Sequence, residues 1–244
     1  MPEFADWPEP VEVINEDGPS ETVLLCEHAS KHIPKQYAGL GLPPEQLQRH
    51  IAWDIGAADV ARQVSQLLDA SAFLGRYSRL LIDLNRPLDA PDSIPTRSES
   101  TDIPGNVDLA PSETTQRAKA IFTPFHRRVS AYLDRRLATR RPTRLVSIHS
   151  FTSTFFDTHR PWYAGVLFDR ATEFARDVID NLGGPALLIG INEPYKTDRK
   201  GDYAIPVHGD DRNIPAIMIE IRNDQIGDPV GVEQWASRIE KALR

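Results

Sequence analysis

Thr22-Val-Leu-Leu-Cys-Glu-His28 and Arg144-Leu-Val-Ser-Ile-His-Ser150 are the two stretches that decide how this chain folds. Each is a short apolar run bounded by polar residues, which reads as a buried strand. Each also ends in a histidine. In open α/β sheets ligands collect at the carboxyl ends of strands, so His28 and His149, far apart in sequence, are expected to meet at one site. A histidine at a strand end more often makes an ordinary hydrogen bond. A metal reading therefore needs further ligands from the rest of the chain.

The remaining sequence extends the α/β pattern. Further strand-like runs fall near 78–84, 163–168, 186–191 and 215–221, with helical segments between them. Ala57, Val60, Ala61, Val64, Leu67 and Leu68 recur at helical spacing over 56–69, and 230–243 behaves similarly. Pro43-Pro44-Glu45 is expected to open another helix. The stretch 112–140 carries Ile121, Phe125, Val129, Leu133 and Leu137 four apart, with Ser112 as its cap and Pro124 forcing a kink or fresh start. Residues 87–111, rich in Pro, Ser, Asp and Thr, are too long for a simple connection and read as a surface or active-site loop. Gly183-Gly184-Pro185 reads as a turn. The expectation is a three-layer α/β/α fold on a mixed, mostly parallel sheet, with residues 1–20 as a tail and 21–244 as one domain.

Composition narrows the function classes. The net charge of −7 over 244 residues is spread along the chain, which argues against nucleic-acid binding. The lone cysteine, Cys26, excludes a disulfide framework and favours a reducing, cytoplasmic setting. No apolar run approaches the roughly 18–20 residues of a membrane span, and the acidic opening Met1–Pro10 lacks a basic signal-peptide start.

The third ligand candidate is Asp54, in His50-Ile-Ala-Trp-Asp54-Ile-Gly56. Its plain role would be to cap the helix at 56–69. Catalytic zinc, however, usually takes three protein ligands and leaves one position for water, and His28, Asp54 and His149 supply that set. The same set also suits manganese, iron or cobalt. Glu220, in Pro215-Ala-Ile-Met-Ile-Glu220-Ile-Arg222, interrupts an apolar strand, which is costly unless the carboxylate is paired or functional. Strand alternation puts Ala216, Met218 and Glu220 on one face, where Glu220 suits a general base beside a metal. An ion pair with an arginine, or a strand end reaching water, is the alternative.

Leu80-Leu-Ile-Asp-Leu-Asn85-Arg86 ends in a pair suited to gripping a carboxylate, although Asp83 and Arg86 can equally pair with each other or with neighbours. Arg160 and Arg222 are candidate cations for a developing oxyanion. His126, beside arginines on the long helix, reads as a surface residue. His208-Gly209-Asp210-Asp211 reads as a turn before the Glu220 strand. His32 reaches the site only if a helical turn follows His28.

The ordered set Cys26-Glu27-His28-Ala29-Ser30 with Ile33-Pro34, Asp54-Ile-Gly56, Asp83-Leu84-Asn85-Arg86, Ser147-Ile-His149-Ser150 and Ile219-Glu220-Ile221 resembles the N-formylglutamate amidohydrolase family. The resemblance spans roughly residues 22–242 and implies a zinc exopeptidase-like fold. It implies one zinc per chain on His28, Asp54 and His149, Glu220 activating water, and Asn85 and Arg86 binding the carboxylate of a small N-acyl amino acid. Where His28-Ala-Ser-Lys-His32 stands, the family more often shows a His-Ser-Gly-like turn, which leaves the substrate open. Two further readings stay open: a carboxypeptidase-like hydrolase of a larger amide, and a metal-free carboxylate-binding protein on the same scaffold.

Overall fold

The computed structural model describes residues 7–183 and 187–244. Its main sheet has seven strands, β1 (Val11–Ile14), β2 (Thr22–Cys26), β3 (Ser71–Gly75), β6 (Arg144–Phe151), β9 (Ala164–Leu167), β10 (Ile189–Ile191) and β11 (Ala216–Arg222). Their order is β1-β3-β2-β6-β11-β9-β10. Two ribbons lie outside it, β4 (Arg97–Ser98) with β5 (Thr101–Asp102), and β7 (Thr154–Phe155) with β8 (Thr158–His159). Within the main sheet, among the described residues, only the β1–β3 and β9–β11 pairings are antiparallel, so the sheet is mixed and mostly parallel, as expected.

Alternating side chains on the central strands feed two cores. Leu24, Val146, Ile217 and Ile219 pack against α1 (Ala57–Leu68), α4 (Thr172–Leu182) and α5 (Pro229–Ala242). Val23, Leu25, Phe73 and Leu145 face the opposite way, toward Phe125, Val129 and Leu133 of α3 (Thr123–Ala138). Burying each such side chain contributes about 1.5–3 kcal/mol, and a one-residue slip in register would turn the side chains of each core toward the other, where they do not fit. Among the described residues no helix is long and apolar enough to cross a membrane.

Several local expectations are corrected. Residues 78–84 are no strand: Leu80, Leu81, Ile82 and Leu84 are buried in irregular chain, and the strand lies earlier, at Ser71–Gly75. Side chains replace the missing ladder, with Asn106 Nδ2 donating to Leu80 O at 2.7 Å and Arg117 Nη1 to Leu81 O at 3.1 Å. Buried backbone needs partners but not a sheet. Val11–Ile14, placed in the tail by the sequence, pairs with β3 at the sheet edge. Pro43-Pro44-Glu45 leads only into a single turn, Gln46–Gln48.

The long helix begins as α2 (Pro111–Arg117) with Ala110, not Ser112, at its cap. It runs through a π turn at Ala118–Phe122 into α3, where Thr123 N–H bonds back to Ala118 O. That widened turn shifts the bonding register immediately before Pro124, which has no N–H to donate. Strand β10 starts at Ile189 rather than 186, and residue 186 lies outside the described residues, as do Gly184 and Pro185 of the expected turn.

Candidate functional site

Strands β2 and β6 run parallel with Val23 opposite Leu145, so their carboxyl ends share one edge of the sheet. His28, two residues past β2, and His149, near the end of β6, consequently stand with ring centroids 4.7 Å apart and planes at 89°. Asp54 arrives on the turn into α1, where its N–H donates to His28 O at 3.0 Å. Gly56 completes that turn at φ +79°, and a Cβ there would stand 2.2 Å from Ile226 O, so the close approach requires glycine. Asp54 caps no helix; its Oδ2 accepts from Ser150 N–H at 3.2 Å and points into the cluster. Ligand atoms of buried His28, Asp54 and His149 lie within 4.8 Å of one another, a set able to hold a metal ion.

Nδ1 of His149 lies 2.9 Å and Nδ1 of His28 3.4 Å from Asp54 Oδ2. The opposite ring nitrogens face other carboxylates, His28 Nε2 at 2.7 Å from Asp83 Oδ1 and His149 Nε2 at 2.8 Å from Glu27 Oε2. Histidines that bind metals commonly donate their far N–H to a carboxylate, which fixes the tautomer and frees the near lone pair. Donor chemistry and orientation both fit a divalent ion such as zinc. Burial opposes charge on Asp54, but His28 and His149 outweigh it and hold its carboxyl well below the usual range. Burial likewise disfavours an imidazolium at His149, yet Asp54 and Glu27 push its pKa well above the usual value. Proton and metal therefore compete for the same lone pair.

In the parallel pairing of β6 with β11, Glu220 is directly opposite His149. Burial raises its carboxyl pKa to about 7, and its Oε2 has no hydrogen-bond partner among the described residues. Among the described residues it is paired with no arginine, and its side of β11 carries Ala216 and Met218, as strand alternation predicts. A cavity of about 510 Å³ opens over the cluster, walled in part by Arg79, Asn85 and Arg86 and by Asp92, Arg97 and Glu99 of the 87–111 loop.

The chain matches the family model described as N-formylglutamate amidohydrolase over residues 20–227. It belongs to that family. Among solved structures it is similar to a gene product of Agrobacterium tumefaciens, at 36% identity and TM-score 0.93, covering 97% of this chain and 94% of that one. It is also similar to an N-formylglutamate amidohydrolase from Ralstonia eutropha JMP134, at TM-score 0.73, covering 97% of this chain and 96% of that one. Identity there is 16%, so this second likeness speaks to the fold alone. No curated protein sequence matches the chain.

Within this amidohydrolase-family chain, the anion-binding candidates fare unequally. Arg86 lines the cavity with Nε 2.8 Å from exposed Asp92 and Nη1 3.3 Å from Asp202. Asn85 lines it too, but its Oδ1 accepts from Tyr203 N–H at 3.2 Å and Ala204 N–H at 2.9 Å, docking that segment. Arg222 is outside the cavity wall, its guanidinium held by Asp224 at 2.8 Å and by the carbonyls of Arg160 and Trp162. Arg160 is also outside, behind a group of aromatic rings. Strand β11 carries Arg222 past Glu220 to bind neighbouring backbone, so neither of the two arginines expected to face an oxyanion stands on the cavity wall. His32 packs on Tyr77 at 5.4 Å between ring centroids and does not join the cluster.

Three residues that the sequence reading did not assign complete the site. Glu27 orients His149 and is itself held by Ser147 Oγ, which donates at 2.6 Å. Asp83 pairs not with Arg86 but with His28 and Arg79, the latter at 2.9 Å. Arg79 brings the cation the cavity needs: its Nη1 is 3.4 Å from Asp54 Oδ1, and its side chain is 26% exposed. The cost of burying a carboxylate, which singled out Glu220, applies equally to Glu27 at the end of its apolar run and to Asp83.

His126 is not a surface residue. It is buried beside His208, with Nδ1 2.8 Å from His208 Nε2 and Nε2 2.9 Å from Leu84 O. A carbonyl only accepts, so His126 Nε2–H donates to Leu84, and His208 Nε2–H donates to the bare Nδ1 of His126. This assignment takes both rings as neutral, the state that burial favours by driving their pKa values down, His208 to about 3. The 204–209 segment is a π turn, and His208 does not line the cavity.

Proposed function

We propose that this chain hydrolyses the amide of a small N-acyl amino acid, N-formylglutamate being the family's reference substrate, with one zinc per chain held by His28, Asp54 and His149. The observation carrying this reading is the pair of imidazoles with both near nitrogens directed at one carboxylate and both far nitrogens tied to separate carboxylates. Zinc so held would supply Lewis acidity to the scissile carbonyl and to water.

The protein's own groups do the rest. Glu220, with a free buried oxygen and a pKa near neutrality, takes a proton from the attacking water and delivers it to the departing nitrogen as the C–N bond breaks. The products are a carboxylic acid, formic acid for a formyl group, and the free amine. Arg79 presents positive charge beside the cluster where the tetrahedral oxyanion develops. Arg86 grips the substrate carboxylate, which displaces solvent-exposed Asp92, while Asn85 fixes the segment that brings Asp202 alongside.

Elemental analysis of wild type and His149→Ala, with assay of N-formyl-L-glutamate and other N-formyl amino acids, tests the reading. One zinc per chain and deformylation, both lost in the variant, are expected. A wild type that binds no metal after zinc is supplied and turns over nothing would overturn it and favour a carboxylate-binding protein.

A further inference from the structure

We propose that the cavity selects an N-acyl amino acid bearing a single carboxylate and one aromatic or large aliphatic group, with Phe155 and Tyr195 forming the subsite for that group. The inference rests on the hydrolase reading and narrows its substrate class, away from a dicarboxylate.

Charge is the first ground. A dicarboxylate needs two cations directed inward: Arg79 is held by buried Asp54 and Asp83, Arg86 can exchange exposed Asp92 for one substrate carboxylate, and Arg97, against Asp102, has a side chain 60% exposed. Lys196 lies at the exposed rim. Asp198, Asp202 and Glu220 line the same space and repel a second negative group.

The aromatic rings are the second ground. Phe151, Phe155 and Tyr195 all line the cavity, and all three surround the guanidinium of Arg160, at 5.8, 4.6 and 4.8 Å from ring centroid to cation. Arg160 is 7% exposed and donates to the Tyr195 hydroxyl at 2.9 Å. A buried cation held against three ring faces fixes them as one plate. Phe151 is 2% exposed and backs the other two rings, whereas Phe155 is half-buried and Tyr195 keeps 41% of its surface exposed, so these two offer apolar area that a ligand can cover.

Size is the third. About 510 Å³ lies within the roughly 300–1,000 Å³ of pockets that enclose drug-sized ligands, far more than a formyl group and a short acidic side chain occupy.

Calorimetric binding of 3-phenylpropionate and of glutarate to the zinc-loaded protein tests the subsite without turnover. The phenyl compound is expected to bind about tenfold or more tightly. Phe155→Ala should abolish the preference, and Phe155→Leu should keep part of it; should Phe155→Ala not fold, Tyr195→Ala carries the same test. In parallel, N-formyl-L-phenylalanine or N-phenylacetylglycine should exceed N-formyl-L-glutamate in kcat/KM by about tenfold, the better of the two showing which side of the amide carries the ring. Equal or tighter binding of glutarate, or a preference unchanged in folded Phe155→Ala, would overturn the proposal and leave the hydrolase reading standing. Tight 3-phenylpropionate binding with no turnover of any N-acyl amino acid would sink the hydrolase reading and leave the subsite.

Discussion

Two histidine pairs lie buried in this protein, and they are built to opposite ends. His28 and His149 have every ring nitrogen facing a carboxylate, from Asp54, Asp83 and Glu27. His126 and His208 have none within reach; they bond to each other and to Leu84 O, among Phe122, Phe125 and Tyr203. Residue type and burial are the same in both. What differs is the surroundings: carboxylates favour positive charge at the centre of the first ring pair, whereas burial without a carboxylate partner disfavours it at the second, more than the Leu84 carbonyl favours it. The first pair is therefore ready for a cation, and the second is a neutral bolt between α3, the 78–86 chain and the segment before β11.

The sharpest way to break this contrast is to remove one ring from each pair. His149→Ala should lose bound zinc and activity altogether, whereas folded His126→Ala should keep zinc near the wild-type ratio; elemental analysis of the two decides, and loss of metal from His126→Ala would erase the distinction. Next in size, Glu220→Gln should lower kcat by about 10²–10⁴ while metal content stays unchanged, since the amide keeps the shape but cannot take a proton. Loss of zinc in that variant would instead make Glu220 a ligand.

Glu27→Gln and Asp83→Asn probe the carboxylates that set the first pair apart. Each should weaken zinc affinity by about 10–100-fold in competition with a chelator, because the far N–H loses its ionised acceptor. Affinities at the wild-type value would reduce the outer carboxylates to ordinary structural ion pairs.

The second pair bears on stability rather than on metal or turnover. Its imidazoles have folded-state pKa values depressed below 6.5, His208 to about 3. In the unfolded chain they take up protons below about pH 6.5 that the folded protein refuses, so their stabilising contribution is present above that pH and is lost as pH falls. The slope is about 1.4 kcal/mol per pH unit for each ring that stays neutral in the folded protein, which for His208 extends down to roughly pH 3. Urea unfolding at pH 7, 6, 5 and 4 should show a shallower loss in a His126→Gln, His208→Gln variant than in wild type; equal slopes would mean the pair is protonated in the folded state.

Much of the fold was legible because periodicity is local. The runs ending at His28 and His149 become strands, Ala57–Leu68 follows its apolar spacing, and Glu220 lies on the face that alternation assigns it. Residues 78–84 misled for an equally physical reason. An apolar run reports burial, and burial is compatible with irregular chain when side chains such as Asn106 and Arg117 satisfy its backbone.

The sequence by itself determined which residue types were available: two histidines and an aspartate suited to a divalent ion, a carboxylate set in an apolar strand, and a strand pattern that carries them to one edge. Only the tertiary structure decided which carboxylate orients which ring, that Arg79 rather than Arg160 or Arg222 faces the cavity, and that His126 is buried and neutral. Charge and protonation depend on atoms a few ångströms away, and those atoms come from residues far along the chain, so no local pattern encodes them.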